Sequence, residues 1–184
     1  MHDYPTTDTD REDRTWALDY RAAVAMRYHS RRRSFLDGLA RAEPVATLLL
    51  GSSAFAAATT GLTWLVMALT LLVALLSAVL LAYGVAERAK LHERLFKAWA
   101  GFRADLARLA PDDDAALRAM EARRLEIGAE TPHQLLALTI LCQNEENEFR
   151  RAGEQWQVGR VQAALANILT LPFQRFERLP APPA

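Results

Sequence analysis

Pro44–Ala86 reads PVATLLLGSSAFAAATTGLTWLVMALTLLVALLSAVLLAYGVA, a run of 43 residues without Asp, Glu, Lys, Arg or His. A helix crosses the hydrocarbon core of a bilayer with roughly 20 apolar residues, so the run suffices for two crossings and a short turn. Gly61 is the natural break. The first segment, Pro44–Thr60, is short and rich in Ala, whereas the second, Leu62–Ala86, is rich in Leu and should insert by itself. A buried hairpin of a soluble protein is the competing reading. Soluble helices of this length carry a polar stripe, however, and neither segment has a charged position.

The flanks hold the charge. Arg27, Arg31, Arg32, Arg33 and Arg41 precede the run, and Arg88, Lys90, Arg94, Lys97 and Arg103 follow it. The turn Thr59-Thr60-Gly61-Leu62-Thr63 has none. The positive-inside rule therefore expects both flanks and both termini in the cytoplasm, with the lipid bilayer as the first partner. Trp64 and Tyr83 suit the two membrane interfaces. No secretory signal is expected, because a strongly charged segment precedes the apolar run.

Small residues recur every four positions at Ser53, Ala57 and Gly61, and again at Ala74, Ala78 and Ala82. Such rows let helix backbones approach in lipid, although Ala-rich helices also produce them by chance. A two-helix hairpin has little packing surface of its own, so a homo-oligomer is expected. In an assembly Ser52, Thr59 and Thr63 are candidates to line a pore. The alternative is that their hydroxyls bond back to their own helix carbonyls.

The remaining sequence predicts helices in water, and the fold class is all-α: a transmembrane hairpin over 44–86 between N-terminal and C-terminal cytoplasmic helices. Residues 1–10 are polar and read as disordered. Over 11–43, Trp16, Tyr20, Val24 and Tyr28 share one helical face that Phe35 and Leu39 continue. In the helical region 87–172, Leu95, Trp99, Phe102, Leu106 and Leu109 form a short heptad seam. That seam is expected to extend the second crossing as one rod, covered by the N-terminal helix, a neighbouring subunit or both. Pro111 and Asp112–Asp114 end it and start a helix with apolar Leu117, Met120 and Ile127, capped at Gly128. Thr131-Pro132 reads as the start of the next, LLALTILCQNEENEFRR, and a last helix is expected near Gln155–Leu171. A Pro-rich tail covers 173–184, and no strand or internal repeat is evident.

Chemistry is sparse. Twenty-two basic and 22 acidic residues cancel, which argues against a nucleic-acid partner. His2, His29, His92 and His133 have no ligand spacing, and the single Cys142 allows no intramolecular disulfide. Cys142 lies in mid-helix beside Ile140 and Leu141, where a small buried hydrophobe is the usual role and no base is positioned. Gly51-Ser52-Ser53 has no Lys and is no phosphate loop. The lack of intramembrane charge weakens a pump or coupled-transporter reading. No enzyme, cofactor or metal site is expected.

The order of features carries a resemblance. Trp16, then Arg27-Tyr28-His29-Ser30-Arg31-Arg32-Arg33-Ser34-Phe35, then a hairpin and a basic helix, resembles the SLATT group of bacterial proteins. The stretch Leu125-Glu126-Ile127, Thr131-Pro132 and Leu141-Cys142-Gln143-Asn144-Glu145 is similar to the C-terminal helices of such proteins. The likeness spans about 15–150, and its motif residues are Trp16, Tyr28, His29, Arg32, Cys142, Asn144 and Glu145. The resemblance implies a two-crossing protein of the bacterial inner membrane that acts as a membrane-perturbing effector in nucleotide-signalled defence or mobile-element conflict. No nucleotide-sensing domain is evident on this chain, so a trigger would come from another protein. Two readings follow: an oligomer that forms a pore, and a non-conducting scaffold that recruits a cytoplasmic protein partner through its helices.

Overall fold

The computed structural model describes residues 8–110, 113–151, 153–169 and 176–179. It is all-helical, in the order α1 (Asp8–Thr59), α2 (Thr63–Tyr83), α3 (Val85–Leu106), α4 (Asp114–Ala129), α5 (Leu136–Arg150) and α6 (Arg160–Leu165). The chain divides into two compact units, one from residues 1–31 and 93–184 and the other, the hairpin unit, from Arg32–His92. The compact division is wider than the uncharged window 44–86.

In the hairpin unit, α1 continues through Pro44, so the proline does not mark the helix start expected there. It removes one backbone donor at a position where α1 is otherwise intact. The break expected at Gly61 is present. Thr60 N and Leu62 N both donate to Ala57 O, and Gly61 takes φ +75°. The unbroken rod expected from the second crossing into the seam is not formed. Gly84 adopts the left-handed conformation, φ 65° and ψ 49°, and separates α2 from α3. Residues with a Cβ pay roughly 1–2 kcal/mol there, and glycine does not.

Leu36, Val85 and Ala89 form the buried centre of this unit, with Phe35, Leu39 and Leu80 packed against it. Ser77 Oγ donates to Glu43 Oε1 at 3.2 Å, which ties α2 to the returning stretch of α1. Beyond this end the surface is apolar. No residue of α2 is buried, and Trp64, Met67, Leu71, Leu75, Val79 and Leu81 are exposed. Among the described residues one stretch, Thr63–Leu106 across α2 and α3, is long and apolar enough to cross a membrane, and its apolar window is wholly uncovered. That window lies in the uncharged α2, because α3 carries charge from Glu87 onward. The Pro44–Thr59 stretch falls short of the same mark, being brief and diluted by Gly51, Ser52 and Ser53.

The larger unit has a core of its own. Val24 and Tyr28 of α1 pack with Ala137, Leu138 and Cys142 of α5 and with Ala166. The seam residues Leu95, Trp99, Phe102 and Leu106 are all buried within the single chain. Burying such side chains is worth about 1.5–3 kcal/mol each. Leu109 lies beyond the end of α3. Leu117, Met120 and Ile127 are the buried face of α4, and Asp113 caps it by accepting from Ala116 N at 2.8 Å.

Several boundaries differ from expectation. Asp8–Asp10 are helical, while 1–7 lie outside the described residues. Helix α4 runs through Gly128 to Ala129. Thr131 does not start α5: its Oγ1 donates back to Ile127 O at 3.2 Å and its N to Gly128 O at 3.0 Å. Of the last helix expected near Gln155–Leu171, Arg160–Leu165 is helical, 155–157 run extended instead, and 170–171 lie outside the described residues. Gln157 N donates to Glu177 O and Leu179 N to Gln155 O, each at 2.8 Å, forming an isolated antiparallel bridge at Trp156 and Arg178. The described part of the tail, 176–179, is thus paired, and 173–175 and 180–184 lie outside the described residues.

Candidate functional site

The first half of α1, as far as Arg31, is the polar spine of the larger unit. Arg11 pairs with Asp114 at 2.8 Å, and Arg14 grips Glu121 through two bonds of 3.0 Å. Asp19 accepts from Arg103 at 2.6 and 3.2 Å and also from Arg150. Arg150 then donates to Glu146 at 2.7 Å, which also accepts from Arg27 at 2.7 Å. Arg31 pairs with Glu145. Glu146 is only 3% exposed. Burial raises its pKa, but hydrogen bonds from Arg150 and Arg27 outweigh that and hold it low. Removing one partner of such a buried pair typically costs about 3–5 kcal/mol, because the other charge is stranded.

The residues that carried the resemblance fall into this framework. Trp16 is half exposed and stacks on Tyr20, centroids 5.3 Å apart, with Arg150 lying 5.5 Å from its ring. The Tyr28 hydroxyl accepts from Leu135 N at 3.1 Å, just before α5. His29 is fully buried and meets Tyr28 edge to face. Arg32 belongs to the hairpin unit, where it donates to the Tyr83 hydroxyl at 3.1 Å. Cys142 is fully buried in the core cluster, and its thiol is pushed up to about 11, first by burial. A thiol in that state is a poor nucleophile near neutral pH. Asn144 uses both ends of its carboxamide, donating to Trp156 O at 2.6 Å and accepting from Trp156 N at 2.9 Å. Each of these residues is engaged in packing or in a polar contact.

Sequence reading missed Asn147 and Gly153. Asn147 donates to Glu154 O at 2.6 Å, one helical turn beyond Asn144. Gly153 takes φ +86°, and a Cβ there would lie 2.8 Å from the Asn147 side chain. The Asn144-x-x-Asn147 spacing was the available signal, since asparagines on one helix face favour binding a nearby backbone.

In the hairpin unit, Ser52 donates to Leu48 O at 2.8 Å and Thr59 to Ala56 O at 2.7 Å. Ser53, Thr60 and Thr70 bond back in the same manner. Thr63 is exposed. Of the two small-residue rows, Ala57 is buried while Ser53 and Gly61 are exposed, and Ala74, Ala78 and Ala82 are all exposed.

The larger unit also contains a cavity of about 520 Å³ that sequence reading did not foresee. Tyr20, Arg21 and Tyr28 of α1, Trp99 of α3, Arg124 of α4 and His133 are among its walls. Trp99 is 6% exposed, and its Nε1–H has no hydrogen-bond acceptor among the described residues. A buried donor left in this state costs about 1–3 kcal/mol.

In comparisons with known proteins, no family model, no curated protein and no solved structure matches the chain.

Proposed function

We propose that this chain is a two-span protein of a bacterial inner membrane, with both termini cytoplasmic. It assembles as a homo-oligomer and perturbs the bilayer as an effector of a defence or mobile-element conflict system. The observation that carries this reading is the uncovered α2: it buries none of its own residues, while the larger unit completes its own core. A soluble protein rarely leaves so continuous an apolar surface in water. The helix reversal at Gly61 and the basic residues on both sides support a second crossing at Pro44–Thr60 and cytoplasmic flanks. The exposed row Ala74, Ala78 and Ala82 supports packing of one hairpin on another. The effector role rests on the resemblance in the order of features.

The test is permeability. Purified protein reconstituted into dye-loaded liposomes should release dye in proportion to the protein inserted. Topology is read in cells, with Thr60→Cys or Leu179→Cys in a Cys142→Ala background. Cells labelled with an impermeant maleimide from outside should modify Cys at 60 and not Cys at 179.

One observation favours the second reading, a non-conducting scaffold that recruits a cytoplasmic protein. Ser52 and Thr59 spend their hydroxyl protons on their own helix, so they offer less to a water path. Inserted oligomers that release no dye and carry no current would replace the effector reading with this one.

A further inference from the structure

We propose that the 520 Å³ cavity of the larger unit binds a small aromatic organic anion, with Arg21, Arg124 and His133 taking the acid group and Tyr20, Tyr28 and Trp99 enclosing the ring. The inference is independent of whether the membrane part conducts.

The first argument is charge. The chain has as many acidic as basic residues, yet no carboxylate is among the described residues that line this cavity. Elsewhere in the unit the α1 arginines are spoken for: Arg11, Arg14, Arg27 and Arg31 each hold a carboxylate. Arg21 and Arg124 have no carboxylate partner among the described residues. A concave wall bearing two guanidinium groups and an imidazole, unbalanced by acids, selects for an anion.

The second argument is the aromatic lining. The Tyr20 hydroxyl is taken by Asn147 and the Tyr28 hydroxyl by Leu135 N, so these rings offer mainly their surfaces. Trp99 adds an indole to the wall, its Nε1–H buried without an acceptor among the described residues. The carbonyls at the end of α4 would repel an anion. Thr131 shields them, donating through N to Gly128 O and through Oγ1 to Ile127 O. The volume is in the range of small-molecule sites and accommodates a bicyclic ring with one acid group.

The test uses the full chain in phosphatidylcholine nanodiscs, with empty nanodiscs as the blank. Three probes of one ring size are titrated: naphthoate, naphthylmethylammonium and naphthylmethanol. Indole N–H signals of the four tryptophans are followed by NMR, with Trp99→Phe assigning its own. Naphthoate should bind saturably, shift the Trp99 N–H signal and outcompete the other two probes. The Arg21→Gln/Arg124→Gln variant, whose changes lie on exposed and half-exposed side chains, should bind naphthoate at least roughly tenfold more weakly, as expected for lost charge-assisted hydrogen bonds. Its binding of naphthylmethanol should be unchanged, which excludes misfolding. An unmoved Trp99 signal, equal affinity for the cationic and anionic probes, or undiminished naphthoate binding by the double variant would overturn the assignment.

Discussion

Asn144 binds Trp156 as a neighbouring strand would: its carboxamide donates to the Trp156 carbonyl at 2.6 Å and accepts from the Trp156 N–H at 2.9 Å. Gln155 Nε2 returns a bond to Asn144 O at 3.0 Å, and Asn147 holds Glu154 O one turn later. The chain reverses between these contacts at Gly153, whose positive φ and closeness to Asn147 leave no room for a side chain. Asn144→Ala should therefore lower the stability of the larger unit by about 2–3 kcal/mol, two bonds at about 1 each plus stranded partners. Gly153→Ala should cost at least about 1–2 kcal/mol from the left-handed backbone alone. Chemical denaturation followed by Trp fluorescence checks both. A loss below about 0.5 kcal/mol for Asn144→Ala would show that water replaces the carboxamide freely.

The two units should fail in different pH windows. His92, in the hairpin unit, is 3% exposed, and its imidazole is pushed down to about 4 by burial first, then by Arg32 and Arg88. Its folded pKa is below its unfolded value, so the unfolded chain takes up the proton first. Stability of that unit is complete above about 6.5 and falls as pH drops from there toward 4, by about 3 kcal/mol if the whole shift is expressed. Asp19 and Glu146, in the larger unit, behave otherwise. Burial raises both, but the arginine hydrogen bonds win and lower them below 3.8 and 4.5. Their contribution is present above those ordinary values and is lost as pH falls through the lowered ones. Hydrogen exchange, corrected for intrinsic rate, should therefore lose protection in the hairpin unit's α3 stretch first. His92→Gln should flatten only the upper window and Glu146→Gln only the lower. Simultaneous loss in both units would contradict the separation.

Cys142 should be inert while the chain is folded. It has no exposed surface, and its thiol is pushed up to about 11. Iodoacetamide at pH 8 should label it only after denaturation. Cys142→Ala should leave dye release intact and cost stability by about 1 kcal/mol or more for the lost buried volume. Rapid labelling of the folded protein would reopen a reactive role for the thiol.

Much of this fold was legible because it rests on local patterns. The uncharged window, the Gly61 turn, the seam on α3 and the acidic start of α4 each follow from a few adjacent residues. Gly84 was not legible, since it sits in an apolar run that continues to Ala86 and only its backbone conformation reveals the break. The role of Thr131 was inverted, because a threonine before proline suits either end of a helix. The clamp from Asn144 and Asn147 and the cavity beside Trp99 were hidden for another reason. The cavity joins residues far apart in sequence, as Tyr28 and Leu135 do, and the clamp, though it spans only 7 and 12 positions, ties a helix to an irregular segment; periodicity carries no information about either.

The placement of small residues changes how self-association should be tested. Both small-residue rows and the seam Leu95–Leu109 were expected to join copies of the chain, with the N-terminal helix as the seam's other possible cover. Ala57 is 5% exposed within one chain, and the seam residues Leu95, Trp99, Phe102 and Leu106 are buried within it too. Ala57→Leu should therefore disturb the hairpin itself, and Trp99→Glu or Leu106→Glu should unfold the larger unit rather than split an oligomer. A small-residue row left wholly exposed for a second copy is Ala74, Ala78 and Ala82 on α2. In lipid no hydrophobic drive acts between helices, so association depends on close approach, which a methyl side chain permits and an isobutyl group blocks. Ala78→Leu should leave insertion and folding unchanged and shift the protein toward monomer, while Ala78→Gly should preserve the assembly. Single-molecule photobleaching in supported bilayers, which avoids detergent, counts subunits at several protein-to-lipid ratios. Wild type should give multi-step traces and Ala78→Leu mainly single steps. Single steps for wild type at every ratio would remove the oligomer, and with it any water path, because two helices cannot enclose one.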